Sequence, residues 1–253
     1  MPDIVVIGDV GGCAAQLTRA VAPLVDDPDT VIIQVGDLVD RGPDSRGVLD
    51  LVRARQEIAP ERWIQLVGNH EAQYLGGEPF WPTRLDEDAA TLLRTWWLKE
   101  WLRVAAAVRT REGEELLICH AGMTVATWRA LGEPVTAATA ADLLNTRPEE
   151  LLWDSRGGPL WAEAASDLYG SWLDAPVVVP FGQVHGHSTV VSFARRAWLC
   201  PGRIRQRTTV DWAARHTFTR IRTARFIGVD PKHGRFGTDH WAPLTLPDAT
   251  LLA

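Results

Sequence analysis

Carboxylates, an amide and histidines recur beside glycines in a fixed order along this chain: Gly8-Asp9-Val10-Gly11-Gly12, Gly36-Asp37-Leu38-Val39-Asp40-Arg41-Gly42, Gly68-Asn69-His70-Glu71, His120-Ala121-Gly122 and His185-Gly186-His187-Ser188. Together they describe a dinuclear metal site built for phosphate ester hydrolysis. Two divalent cations held ~3.5–4 Å apart need a shared carboxylate, and the other positions must be oxygen or imidazole donors that do not themselves react. Asp37 suits the bridge. Asp9 suits the first cation, and Asn69 (through its amide oxygen), His120 and His187 suit the second. This mixed nitrogen and oxygen set accepts Mn, Fe or Zn and does not choose among them. Water acidified between such cations can attack phosphorus directly, so no nucleophilic serine or cysteine is needed.

The elements that must position these groups are visible as well. Each block follows an apolar run: Ile4-Val5-Val6-Ile7, Val31-Ile32-Ile33-Gln34-Val35, Trp63-Ile64-Gln65-Leu66-Val67 and Leu116-Leu117-Ile118-Cys119. Such runs read as buried strands with glycines and polar residues at their carboxyl ends. In an open α/β sheet those ends form the ligand-binding edge, so residues distant in sequence converge on one rim. Helices are expected over Ala14 to Val25 and Ser45 to Arg55, with another beginning near Glu71, giving residues 1 to 75 the βαβ rhythm of a parallel sheet. The Gly76-Gly77-Glu78-Pro79-Phe80-Trp81-Pro82 stretch breaks that rhythm. Leu85 to Val108 then reads as helical, with Trp96, Trp97 and Trp101 included. A long insertion between His120 and His187 has helical stretches near Thr124 to Leu131, Ala138 to Asn145 and Leu160 to Leu173. Short strands at Thr189 to Phe193, Ala197 to Cys200, Phe218 to Ile221 and Arg225 to Val229 suggest a second sheet. The expected fold is α/β, a two-sheet αββα sandwich with a helical cap: one domain over residues 1–253, with helical insertions at approximately 76–110 and 124–176.

The same blocks resemble those of the calcineurin-like metallophosphoesterases. The stretch Gly36 to Leu49, GDLVDRGPDSRGVL, followed by GNHE at 68–71, is especially similar to the phosphoprotein phosphatase branch and the bacterial diadenosine tetraphosphatases close to it. The resemblance covers roughly Ile4 to His187, with a weaker echo at Ile227-Gly228-Val229-Asp230. It implies the metallophosphoesterase sandwich, with Asp40 orienting His70, His70 protonating the leaving oxygen and Arg41 gripping the phosphate. Arg156, in Leu151-Leu152-Trp153-Asp154-Ser155-Arg156, is the nearest match to a second phosphate arginine. Physical chemistry supports these roles separately. A guanidinium offers a planar fork for phosphate oxygens and stays charged. A carboxylate fixes a histidine's tautomer and supports its charged form, which suits a general acid.

One position departs from the family. The first block is normally GDxHG, whose histidine binds the first metal, and here that position is Gly11. The first cation should therefore be weakly held, re-ligated or water-rich. Cys13 is a candidate replacement as a thiolate, and His185, two residues before His187 on a strand, would point to the same side. Bland alternatives stand beside both: Cys13 as a small buried filler at a helix start, His185 as an ordinary or supporting strand residue. Cys119, next to a metal histidine, should face the core, and His233 is either hydrogen-bonded in its turn or part of the pocket lining.

Composition narrows the class. A net charge of −6 over 253 residues argues against nucleic acid as a general partner, which needs a basic face. Three cysteines without paired spacing imply no disulfide framework, which suits a reducing compartment. Neither a secretory leader nor a membrane span is indicated, and the chain reads as cytoplasmic. Many of the 12 tryptophans fall in the helical stretches, among them Trp81, Trp128, Trp153, Trp161 and Trp172. They either form a core or wall the site, where they could stack on a base or sugar. The expectation is metal-dependent hydrolysis of a small-molecule phosphomonoester; a dinucleoside polyphosphate or a phosphoprotein are alternative substrates. A phosphate-binding or regulatory module weakened at Gly11 is the alternative from another class. Oligomeric state is not legible.

Overall fold

A computed structural model of the chain describes residues 3–24, 27–82, 84–235, 237–238 and 240–253. Among these residues the strands form two main sheets. The first runs, edge to edge, Leu244–Leu246, Ile4–Ile7, Val31–Gln34, Trp63–Leu66 and Leu102–Arg103. The strands from Ile4–Ile7 to Leu102–Arg103 are parallel, with Ile4 opposite Val31 and Ile33 opposite Ile64, while Leu244–Leu246 pairs antiparallel. The second sheet runs Thr208–Asp211, His216–Ile221, Ala224–Gly228, Gly182–His185, Glu115–Cys119, Ala105–Arg109 and Thr250–Leu251. Its three central strands are parallel.

The sheets face each other across a core of Ile4, Val6, Ile33, Val35, Ile64 and Leu66 from one, and Ala106, Val108, Leu116, Ile118, Val184 and Ile227 from the other. Alternation along each strand sends the remaining apolar residues outward, where helices cover them. The helices Ala14–Val21, Ser45–Ile58 and Glu87–Leu98 bury Leu17, Val48, Leu49, Val52, Leu93 and Trp96 against the outer face of the first sheet. The helices Val125–Ala130, Ala137–Asn145 and Gly170–Asp174 do the same for the second sheet, packing with Leu117, Phe181 and Phe226. The architecture is the αββα sandwich, and the 124–176 segment provides its outer layer on the second sheet.

Several boundaries differ from expectation. The first helix ends at Val21, and the expected last residue, Val25, lies outside the described residues. The expected helix over Leu85 to Val108 stops at Leu98, and Ala105–Arg109 is a strand. Its alanines alternate between two cores, Ala105 and Ala107 in one and Ala106 in the other. A strand buried on both faces loses the polar alternation that identifies strands, so alanine's helical propensity misled. Val191–Ser192 and Ala197–Trp198 pair as a separate hairpin, outside the second sheet.

Candidate metal centre

The parallel strands of both sheets end on the same rim. Ile4–Ile7, Val31–Gln34 and Trp63–Leu66 deliver Asp9, Asp37 and Asn69. Glu115–Cys119, Gly182–His185 and Ala224–Gly228 deliver His120, His187 and Asp230. Backbone bonds lock the loops together: Gly186 N–H donates to His120 O at 2.8 Å and Val229 N–H to His185 O at 2.8 Å. Close approach requires glycine at two points. A Cβ on Gly36 would lie 2.4 Å from Gly68 N, and one on Gly186 would lie 2.1 Å from Asp9 Oδ1.

Glu71 organises the second block. Its Oε2 accepts from Gly68 N–H and Asp37 N–H, each at 2.8 Å, and its Oε1 from Leu38 N–H at 2.8 Å and Val39 N–H at 3.3 Å. Burial, then the neighbouring Asp37, raises its carboxyl to about 7. These bonds hold a loop in which Asp37, Asp40 and Arg41 have φ of 55°, 67° and 59°. Such conformations cost energy and persist only where surrounding bonds impose them.

The histidine side of the rim is an array of donors. His120 Nδ1–H donates to Val35 O at 3.0 Å, which fixes the proton on that nitrogen and leaves Nε2 as a lone pair. Nε2 lies 3.0 Å from Asn69 Oδ1 and 3.3 Å from Asp37 Oδ1, and His187 Nδ1 lies 3.0 Å from the same Asn69 oxygen. Burial lowers both histidines, His187 to about 3 with His120 the next cause, and with its proton on Nδ1 the His120 ring turns a bare Nε2 toward the Asn69 and Asp37 oxygens. Acceptors gathered this closely repel one another, and a divalent cation among them removes the conflict. Asp9, Asp37 and His120 each offer a ligand atom, and these atoms lie within 4.8 Å of one another. The donor set fits one cation of the type bound by mixed nitrogen and oxygen ligands.

The Gly11 side is built differently. Gly11 has φ of 52°, and a Cβ there would lie 3.5 Å from Arg41 Cδ, so the arginine stem covers the glycine. Arg41 Nη2 lies 3.0 Å from Asp37 Oδ2, and Nη1 lies 3.7 Å from Asp9 Oδ2. Asp9 Oδ1 accepts from His187 N–H at 2.9 Å, while its buried Oδ2 has no hydrogen-bond partner. Burial, then Asp230 and Asp37, raises the Asp9 carboxyl well above its ordinary range. For Asp37, burial is offset by His120, then Arg41, and the carboxyl is lowered. Lys232 Nζ lies 2.9 Å from Asp230 Oδ2 and donates to His187 O at 2.8 Å. Among the described residues a separate first cation finds Asp9 and Asp37 with a guanidinium already between them, and Asp230 already paired with Lys232. The residues do not fit it well.

Asp40 and His70, expected to act together as a general acid, are in contact. His70 Nδ1 lies 2.7 Å from Asp40 Oδ2, which also accepts from Gln73 Nε2 at 2.8 Å. His70 Nε2 faces the centre, 3.9 Å from Asp37 Oδ2. Phe80 and Trp81 stand edge-on to the His70 ring at 4.9 and 5.1 Å, and Trp161 joins Phe80 at 4.9 Å and His187 at 6.4 Å. Trp96, Trp128 and Trp172 are core residues.

Three expected residues are not brought into the cluster. Cys13 is buried, its Sγ directed at Gly11 O (3.6 Å) and Gly234 O (3.8 Å) and so turned toward carbonyls, and burial raises its thiol. The His185 ring packs on Tyr169, with Nε2 2.8 Å from the phenol oxygen. Its strand ends at His185 and His187 turns at φ of 60°, so the two-residue spacing does not place both rings on one side. Arg156 is exposed in a turn, its backbone N–H on Asp154 Oδ1 at 2.9 Å. His233 is held in its own turn, accepting from Thr238 N–H at 3.2 Å and packing edge-on against Trp241. The sequence reading missed Lys232 and left Asp230 and Glu71 without roles. A lysine just beyond the Ile227–Asp230 echo, in a chain with lysine only at Lys99 and Lys232, was the available signal.

Residues 2–200 match the family described as Calcineurin-like phosphoesterase. A symmetrical bis(5'-nucleosyl)-tetraphosphatase of Bordetella pertussis is 30% identical over 184 residues, covering 66% of this chain and 57% of the relative. Serine/threonine-protein phosphatase 1 of Salmonella typhimurium is 34% identical over 117 residues, 45% of this chain and 46% of the relative. The chain thus spans about half the length of these curated relatives. The cold-active protein-tyrosine phosphatase of a Shewanella species shares the fold, with a TM-score of 0.55 at 17% identity, over 100% of this chain and 81% of that one. Among the described residues no helix is long and apolar enough to cross a membrane.

Proposed function

Because the chain belongs to the calcineurin-like phosphoesterase family, we propose that this rim hydrolyses a small-molecule phosphate ester, a phosphomonoester first, in a reaction that depends on a divalent cation such as Mn, Fe or Zn. Asp37, Asn69, His120 and His187, with Asp9 beside them, are the residues that would hold the cation. When bound, it supplies Lewis-acid charge and makes water in the site acidic enough to be a nucleophile near neutral pH. Arg41 holds phosphate oxygens in its planar fork. Asp40 fixes the His70 ring through Nδ1, so Nε2 delivers a proton to the departing oxygen.

The observation that carries the small-molecule reading is the aromatic group over the centre: Phe80, Trp81 and Trp161 stand against His70 and His187. Rings there can stack on a base or pack on a sugar, whereas a phosphoprotein loop needs an open groove. The name of the Bordetella relative favours a second reading, a dinucleoside polyphosphate, whose bases the same rings would accept. The Salmonella relative keeps serine/threonine phosphatase activity as the third. The intact Asp40–His70 pair favours an enzyme over a phosphate-binding module. Free Cys13, Cys119 and Cys200 suit a cytoplasmic setting.

Turnover should be compared on p-nitrophenyl phosphate, a nucleoside monophosphate, diadenosine tetraphosphate and a phosphoserine peptide, each with added Mn. The reading expects the highest kcat/KM on the monophosphate. Highest kcat/KM on diadenosine tetraphosphate would replace it with the second reading, and on the phosphopeptide with the third.

A further inference from the structure

The Gly11 side of the rim carries its own fixed cations. Arg41 sits between Asp37 Oδ2 (3.0 Å) and Asp9 Oδ2 (3.7 Å), its stem over Gly11. Lys232 is fixed by Asp230 Oδ2 at 2.9 Å and His187 O at 2.8 Å, and its charge acts on Asp9 as well as Asp230. Three carboxylates, Asp9, Asp37 and Asp230, thus share two cations of the protein, and the buried Asp9 Oδ2 is left without a hydrogen-bond partner. A divalent ion entering here would meet two positive side chains and gain no imidazole. On the other side, Asp9, Asp37 and His120 present ligand atoms within 4.8 Å of one another, the spread of a single coordination sphere, and Asn69 Oδ1 and His187 Nδ1 adjoin it.

We propose that this chain works with a single divalent cation, held by Asp9, Asp37, Asn69, His120 and His187, and that Arg41 and Lys232 bring to the phosphate the positive charge a second cation would supply. Phosphoryl transfer asks mainly for positioning and neutralisation of charge on the phosphoryl oxygens, and arginine and lysine can do this as metals do. An ammonium has three donors. His187 O takes one, Asp230 Oδ2 is an ion-pair partner at 2.9 Å, and with 42% of the Lys232 side chain exposed a remaining donor can face a phosphate oxygen. Asp230 is then a positioning residue: its Oδ1 accepts the Lys232 backbone N–H at 2.7 Å, which together with the Nζ contact fixes where the ammonium points.

This inference rests on hydrolysis at this rim, and metal counting separates the two. The whole chain, equilibrated with excess Mn and desalted, should retain one Mn per chain and give the paramagnetic resonance spectrum of an isolated Mn(II). Two tightly bound, exchange-coupled Mn ions would overturn the single-cation proposal while leaving hydrolysis standing. No bound Mn would overturn both. Inhibition by inorganic phosphate tests the lysine: Lys232→Gln should weaken phosphate about tenfold, as loss of a charge-assisted hydrogen bond does, with Mn content unchanged, and Lys232→Arg should recover most of it. Undiminished phosphate affinity in Lys232→Gln would overturn the role of Lys232. If that variant does not fold, the Mn count on the unmodified chain decides the single-cation claim and phosphate affinity in Lys232→Met decides the other: about tenfold weaker phosphate with Mn content unchanged supports the role of Lys232, and undiminished affinity overturns it.

Discussion

The two sides of the rim solve the same problem with different materials. On the histidine side, the His120 Nε2 lone pair faces Asn69 Oδ1 at 3.0 Å and Asp37 Oδ1 at 3.3 Å, an arrangement that is unfavourable until a cation enters. On the Gly11 side, carboxylates meet a guanidinium and an ammonium from the chain itself. The first side is a site waiting for charge, and the second has its charge built in. Deleting one imidazole therefore need not create a void. The Arg41 stem lies over the glycine, its Cδ 3.5 Å from where a Cβ would stand.

Asp37 belongs to both sides, since Oδ1 faces His120 and Oδ2 faces Arg41, and its replacement should have the largest effect. Asp37→Ala is expected to lose bound cation and to cut hydrolysis by about a thousandfold or more, because several kcal/mol of Lewis-acid stabilisation leave with the metal. Metal content and p-nitrophenyl phosphate turnover check it. Near-normal metal and rate would separate the two sides entirely.

His70 sits over the shared carboxylate and acts on the leaving group. His70→Asn should slow an alkyl phosphate by about a hundredfold or more and nitrophenyl phosphate far less, since a good leaving group needs little protonation. Equal losses on both would assign His70 to holding the loop, through its Nδ1 contact with Asp40 Oδ2 at 2.7 Å.

The contrast is sharpened by Arg41→Gln, which removes charge from the Gly11 side alone. The expected loss is about tenfold to a hundredfold in kcat/KM, with the cation on the histidine side retained. Loss of the cation as well would show that the two sides are not independent. The smallest effect is expected at the aromatic group: Trp161→Ala should raise KM about fivefold for a nucleoside monophosphate, in line with the loss of one stacking contact, and leave inorganic phosphate inhibition unchanged. An unchanged KM would assign Trp161 to packing.

The same contrast explains what the sequence disclosed. Asp37, Asn69, His120 and His187 follow strands whose β-branched residues and terminal glycines announce a ligand edge, so their meeting was legible. The Gly11 vacancy was legible too, but its answer was not. Cys13 and His185 are neighbours in sequence of the right residue types, and burial turns one thiol toward carbonyls and packs the other ring on Tyr169. The groups that do stand there, Asp230 and Lys232, arrive from a strand that pairs with Gly182–His185 through Gly228 opposite His185. That register is a tertiary fact, with no periodic trace in the chain. Ala105–Arg109 failed for a related reason: buried on two faces, it had no polar side to reveal it.

The claim that this rim is a cation-dependent phosphoesterase is tested most directly by hydrolysis of p-nitrophenyl phosphate by chelator-stripped protein to which Mn is added back. Activity should be absent in the stripped protein and return in proportion to the Mn bound by the unmodified chain, but not by Asp37→Ala. Turnover that is the same with and without the cation, or absent at full Mn occupancy, would contradict the account.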